Sequence, residues 1–246
     1  MRERNKMANY EYYSWKHIPA AIVTQHIIKT PLSNIKSETV LRPLNKTTYV
    51  GINGGFFEAT QGYSVPPTGG SSIIYVSGEE NQTVTYEGRT LKKNYLSNTG
   101  VNGNEISRKS AVFYRDMNGS LKATHLYVKN VNEVYQYYPK SVVEMVIGGN
   151  DYNLESWGGS SIKGELGYYL SIPRTILAWK NNDAYLIAGQ GSVPFMRDIM
   201  DDLGLNAVNS IMLDGSGSTQ MQIGNPKSNP VDSNRYVYNM IRVKTT

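Results

Sequence analysis

"RTILAWKNNDAYLIAGQGSVPFMRDIMDDLGLNAVNSIMLDGSGSTQM", residues 174–221, carries strand, turn, helix and loop signals in one run. RTILAWK and DAYLIAG are short, strand-forming stretches, and Asn181-Asn182-Asp183 between them has the chemistry of a hairpin turn. SVPFMRDIMDDLG then predicts a helix. Ser192 can cap it and Pro194 sits in its first turn, while Phe195, Met196, Ile199, Met200 and Leu203 recur at helical spacing before Gly204 ends it. AVNSIMLD reads as a buried strand, which places Asp214 at its C-terminal end with a glycine-rich loop directly after it.

Strand character continues outward from this run. AAIVTQHIIK, TTYVGING, SSIIYVSG, QTVTYEG and SAVFYRDMNGSLKATHLYV all favour strands over amphipathic helices, and Asn118-Gly119 marks a second hairpin. NVNEVYQYYPK offers a weaker helix. The expected class is α+β: a single β-rich domain over residues 1–246 with a mixed sheet and a few helices.

Composition narrows the function classes. With 39% hydrophobic and 18% charged residues the chain suits a packed core rather than disorder. The absence of cysteine removes disulfides, thiolate nucleophiles and cysteine-ligated metal sites. A net charge of +5 suits an anionic small molecule, but the basic residues are scattered, so no nucleic acid polymer is expected as a partner. No stretch reaches the roughly 20 apolar residues of a membrane span, and the N-terminus lacks an uninterrupted apolar signal segment. The chain as written therefore reads as cytoplasmic, or as secreted if a leader was removed.

Three places can carry chemistry. In the Asp214 loop, Gly215 and Gly217 can bring backbone N–H groups around an anion, and Ser216, Ser218 and Thr219 add hydroxyls. No lysine follows as in a P-loop, Gly-x-Ser-x-Gly is absent, and the acidic ladder of an EF-hand is missing. An ordinary turn between strands is the competing reading. In YVGINGGFFEATQG, residues 49–62, Asn53 ends a strand before Gly54 and Gly55, with Phe56 and Phe57 as a packing wall and Glu58 as a further carboxylate. In SIPRTILAWKN, residues 171–181, Arg174 opens a strand with the side chain best shaped to fork onto phosphate. VIGGNDYNLESWGG adds Gly148-Gly149, Asp151 and Glu155. His17, His26 and His125 have no neighbours at metal spacing, so neither metal nor cofactor is expected. A Ser-His-Asp triad of Ser216 or Ser218 with His125 stays open.

Taken in order, INGGFF at 52–57, PPTGG at 66–70, IGGN at 147–150, RTILAW at 174–179, LDGSGSTQM at 213–221 and VYNMIRV at 237–243 resemble the phosphodiester glycosidase family. The resemblance runs from about residue 45 to the end, leaving 1–44 as N-terminal strands of the same domain. It implies a hydrolase that splits a sugar from an anomeric phosphodiester, giving free sugar and a phosphomonoester. Asp214 would act at C1, as base for water or as partner of the oxocarbenium-like transition state, with Glu58 as second carboxylate. Arg174 and residues 215–219 would hold the phosphate. Asn53, Gly54, Gly55, Phe57, Gly148 and Gly149 would orient the substrate. The family's Asp-Gly-Gly-Gly-Ser run appears here as Asp214-Gly215-Ser216-Gly217-Ser218, one glycine having become serine. That departure, and the lack of a leader, keep a second reading in view: a phage or cytosolic protein that cleaves a nucleotide-like phosphodiester or signalling nucleotide, or binds it as a non-catalytic sponge.

Overall fold

The computed structural model describes residues 3–6 by backbone course only, and residues 9–16, 23–224 and 228–244 in full. His17 lies outside the described residues.

Three sheets enclose one core. The largest has six strands in the order Glu3–Lys6, Glu11–Lys16, Thr24–Pro31, Asp183–Gly191, Ile172–Lys180 and Ser210–Met212. The second has four, Leu121–Val128, Arg108–Arg115, Val143–Gly148 and Ile74–Val76. The third has five, Ser228–Val231, Met221–Ile223, Gly51–Asn53, Val237–Val243 and Ile35–Arg42. Strands within residues 24–42 thus pair with strands from the far C-terminal half, Thr24–Pro31 with Asp183–Gly191 and Ile35–Arg42 with Val237–Val243.

The expectation of a mixed sheet is corrected. Every ladder among the described residues is antiparallel. A parallel neighbour needs a long crossover, usually a helix, whereas the adjacent strands Ile172–Lys180 and Asp183–Gly191 close over Asn181-Asn182 with Lys180 opposite Asp183. The other predicted hairpin forms the same way, Gly119 taking a φ of 75° between Arg108–Arg115 and Leu121–Val128.

Alternation along the strands explains their apolar runs. Leu177 and Trp179 point into the core shared by the three sheets, together with Leu186, Phe113, Ile147, Ile52 and Ile241. Ile176 and Ala178 point the other way, onto Val193, Met196, Ile199 and Met200 of the helix Val193–Asp202. A strand covered on both faces carries no polar alternation. The helix starts and ends as predicted: Ser192 accepts the Phe195 N–H, and Gly204 turns at a φ of 68°. NVNEVYQYYPK yields a short helix, Val131–Val134, capped by Asn130. A third helix, Ile162–Tyr169, was not predicted; Gly164 and Gly167 interrupt its helix-forming character, and Ile162, Leu166 and Tyr169 stay exposed. Among the described residues no helix is long and apolar enough to cross a membrane.

Candidate active site

The strand Gly51–Asn53, the loop after Val143–Gly148, the start of Ile172–Lys180 and the loop after Ser210–Met212 converge at one place. Asn53 is its hub and is fully buried. Its Nδ2 donates to the Asp214 carbonyl at 2.7 Å, and its Oδ1 accepts the Thr175 hydroxyl at 2.7 Å and the Gln220 N–H at 3.0 Å. The Asp214 N–H donates to the Gly54 carbonyl at 3.1 Å, while Asn150 and Met212 exchange backbone bonds at 2.8 and 2.9 Å. Side chains and loops far apart in sequence thereby fix the backbone of Asp214 from several directions.

The Asp214 carboxyl is pushed up to about 6, because its burial disfavours the charged form. Four influences pull it back toward ionisation: hydrogen bonds from the Ser218 hydroxyl and from the Gly215 N–H at 3.0 Å, and the positive charges of Arg235 and Arg108. Ser218 is fully buried and also receives Arg235 Nη1 at 3.4 Å, so arginine, serine and aspartate form one chain of contacts. Gly217 makes room for that arginine, since a Cβ there would stand 2.6 Å from Arg235 Nη2. Arg235 lies 3.7 Å over the ring of Tyr63, and Arg108 lies 4.7 Å over the ring of Phe56. Arg108 donates to the Thr99 carbonyl at 3.0 Å and keeps a buried Nε–H without an acceptor.

The predicted residues fall into two groups. Asp214, Gly215, Ser216, Gly217, Ser218 and Thr219 do form one loop, but its N–H groups are largely committed: Gly215 to the Asp214 carboxylate, Ser218 to Gly215, Thr219 to Ser216 and Gln220 to Asn53. Ser216 holds a φ of 56°, the left-handed region that favours glycine. The Thr219 hydroxyl is buried without a protein partner.

Arg174 sits beside this loop, its Cα 3.8 Å from where a Cβ of Gly215 would be. Its guanidinium turns away to protein acceptors, with Nε donating to the Gly191 carbonyl at 3.1 Å and Nη2 to Gly167 and Leu170 carbonyls at 2.7 and 3.2 Å. It stacks 5.1 Å over Trp157, and burial pushes its pKa down to about 10. Gly54, Gly55, Gly148 and Gly149 are buried, and a side chain on any of them would strike Asn239, Ser72, Asn98 or the Met212 carbonyl respectively. Phe57 packs on Val40, Leu44 and Tyr63, so Phe56 is the phenylalanine that meets a site arginine. Glu58 is exposed on the short strand Phe57–Glu58, its carboxylate against Gly69.

His125 lies opposite Ala111 in its sheet, edge-on to Tyr127 at 6.1 Å, and no hydrogen bond joins it to Ser216 or Ser218 among the described residues. Sequence reasoning missed Arg108 and Arg235. Each is a lone arginine next to a strand, at the head of Arg108–Arg115 and just before Val237–Val243, and only the three-dimensional path brings both charges to Asp214.

The profile of the family described as phosphodiester glycosidase matches residues 46–244. The chain belongs to this family. Among solved structures, this member is similar to the catalytic domain of zebrafish N-acetylglucosamine-1-phosphodiester alpha-N-acetylglucosaminidase, auto-inhibited by its pro-peptide. The TM-score is 0.61 at 15% identity, covering 100% of this chain and 84% of that one. That likeness carries the fold. No curated protein matches in sequence. Among the described residues, no three His, Cys, Asp or Glu side chains are grouped so as to hold a metal ion.

Proposed function

We propose that this phosphodiester glycosidase hydrolyses a sugar from an anomeric phosphodiester, releasing free sugar and a phosphomonoester. The observation that carries the reading is a carboxyl pushed up to about 6 that shares its surroundings with two arginine charges. An ordinary glycosidase needs a second carboxyl group to protonate a poor leaving alkoxide. A phosphate monoester leaves without that help if its charge is met, and Arg108 and Arg235 supply that charge in a partly desolvated place.

Asp214 then acts as the general base. Near neutral pH it is largely ionised yet basic enough to take a proton from water attacking C1. The Ser218 hydroxyl and Gly215 N–H hold its orientation. Arg174 serves as a positioning residue, bracing the Asp214 loop against the helix Ile162–Tyr169 through its backbone acceptors. Asn53 sets the carbonyl of Asp214, and the buried glycines permit the close packing beneath it.

Incubation with a panel of sugar phosphodiesters, followed by mass analysis, tests the proposal. Equal amounts of free sugar and phosphomonoester are expected from the native protein, with Asp214→Asn slower by orders of magnitude. Recovery of every bound phosphodiester intact would make this a binding module instead.

A further inference from the structure

Beside the Asp214 loop, residues 59–68 leave one aromatic ring in solvent: Tyr63 is 48% exposed. An exposed tyrosine alone carries no meaning. This one is fixed by its surroundings. Its carbonyl accepts the Tyr236 N–H at 2.9 Å, which ties it to the residue following Arg235. The Arg235 guanidinium covers one face at 3.7 Å, and Phe57 meets the ring edge-on at 6.2 Å and 85°. Gly62, at a φ of 89°, turns the chain just before it, and Pro66 and Pro67 are buried just after. Nearly half of this preorganised tyrosine stays exposed, one guanidinium away from Ser218.

Resting on the reading above, we propose that Tyr63 is the platform for the leaving group, and that this group is a nucleoside. Phosphate bound at Arg235 would carry the nucleoside around the edge of the ring, so that its base stacks on the exposed part of it. With a guanidinium on one side, the ring accepts a flat neutral π-system on the other more readily than a second cation. Such stacking tolerates any base and adds about tenfold or more in affinity. In the reaction, water adds its oxygen to C1 of the sugar and its proton goes to Asp214. The C1–O bond breaks, and the bridging oxygen leaves with its electron pair on the nucleoside monophosphate.

Product-side binding tests this without knowledge of the sugar. Calorimetry on the full chain would compare inorganic phosphate, methyl phosphate, glucose 6-phosphate and adenosine 5′-monophosphate. The nucleotide is expected to bind at least tenfold more tightly than methyl phosphate. Tyr63→Ala should remove that advantage and Tyr63→Trp should keep it, with methyl phosphate binding to Tyr63→Ala within about fivefold of native because only the ring under Arg235 is lost. Equal binding of nucleotide and methyl phosphate to the native protein would overturn the proposal. So would an equal loss of both in Tyr63→Ala, which would make the ring a mere support for Arg235, or an equal gain with glucose 6-phosphate. If simple phosphates bind through Arg235 but the base adds nothing, the platform fails and the phosphodiester reading stands. If no phosphate binds at all, both fail.

Discussion

Replacing Asp214 by asparagine should abolish turnover and at the same time stabilise the protein at neutral pH. A carboxyl whose pKa is higher folded than unfolded makes the native state the better proton binder, so native stability falls as pH rises between those two values. Here the window runs from the ordinary 3.8 to about 6. Above it the ionised group costs the native state about 3 kcal/mol at roughly 1.4 kcal/mol per pH unit, and partial solvent access brings this toward about 2 kcal/mol. Asparagine keeps an oxygen for the Gly215 N–H, which now stands 3.0 Å from the carboxylate, and carries no charge to desolvate. At about 2–4 °C per kcal/mol for a chain of this size, the variant should melt roughly 4–8 °C above the native protein at pH 7.5. At pH 4 the two should melt together. Thermal melts at both pH values, followed by circular dichroism, provide the check. A variant that melts at or below native at pH 7.5, or keeps its whole advantage at pH 4, would refute the reasoning that links burial of this carboxyl to its chemistry.

Other outcomes follow from the same geometry. The rate constant kcat/KM should rise through pH 6 to a plateau as Asp214 ionises, and Arg235→Ala, by removing a charge that favours ionisation, should move that limb to higher pH. Arg108→Ala and Arg235→Ala should each lower turnover about 100-fold or more, and steady-state kinetics should show lysine restoring neither, because a point charge does not replace a stacked fork. Ser216→Gly should leave the protein as stable or raise its unfolding free energy by up to about 1 kcal/mol in urea titration, since relief of left-handed strain outweighs the added freedom of the unfolded chain. Asn53→Ala should cost about 3 kcal/mol or more in the same titration by stranding the Thr175 hydroxyl, the Gln220 N–H and the Asp214 carbonyl, whereas Glu58→Gln, at an exposed position with its carboxylate against Gly69, should change turnover by less than about threefold.

What the sequence disclosed was local. Turn chemistry at Asn118-Gly119 and Asn181-Asn182, the cap and apolar spacing of Val193–Asp202, and the strand leading toward Asp214, which the structure shortens to Ser210–Met212 after a 3-10 turn at Ala207–Asn209, each depend on residues within a few positions of one another. The antiparallel pairing of Ile35–Arg42 with Val237–Val243 depends on register across some two hundred residues, and nothing in either strand announces it. The same holds for Arg235, whose partners Tyr63 and Ser218 come from separate loops. Arg174 drew notice because of its type, while its acceptors belong to a helix that two glycines concealed. The glycine pairs at 54–55 and 148–149 were legible as places of close approach, but their neighbours are protein.

Asn53 grips both ends of the Asp214 loop, one amide atom on the carbonyl that enters it and the other on the N–H that leaves it. The chord between those ends is therefore set from outside, independent of what lies along the arc. The exposed side chain at 216 can be exchanged, and specificity retuned, without shifting the carboxylate, as the handle of a cup can be recast while its rivets stay in place. A serine at 216, where the backbone holds a conformation that favours glycine, is the kind of drift such a clasp permits.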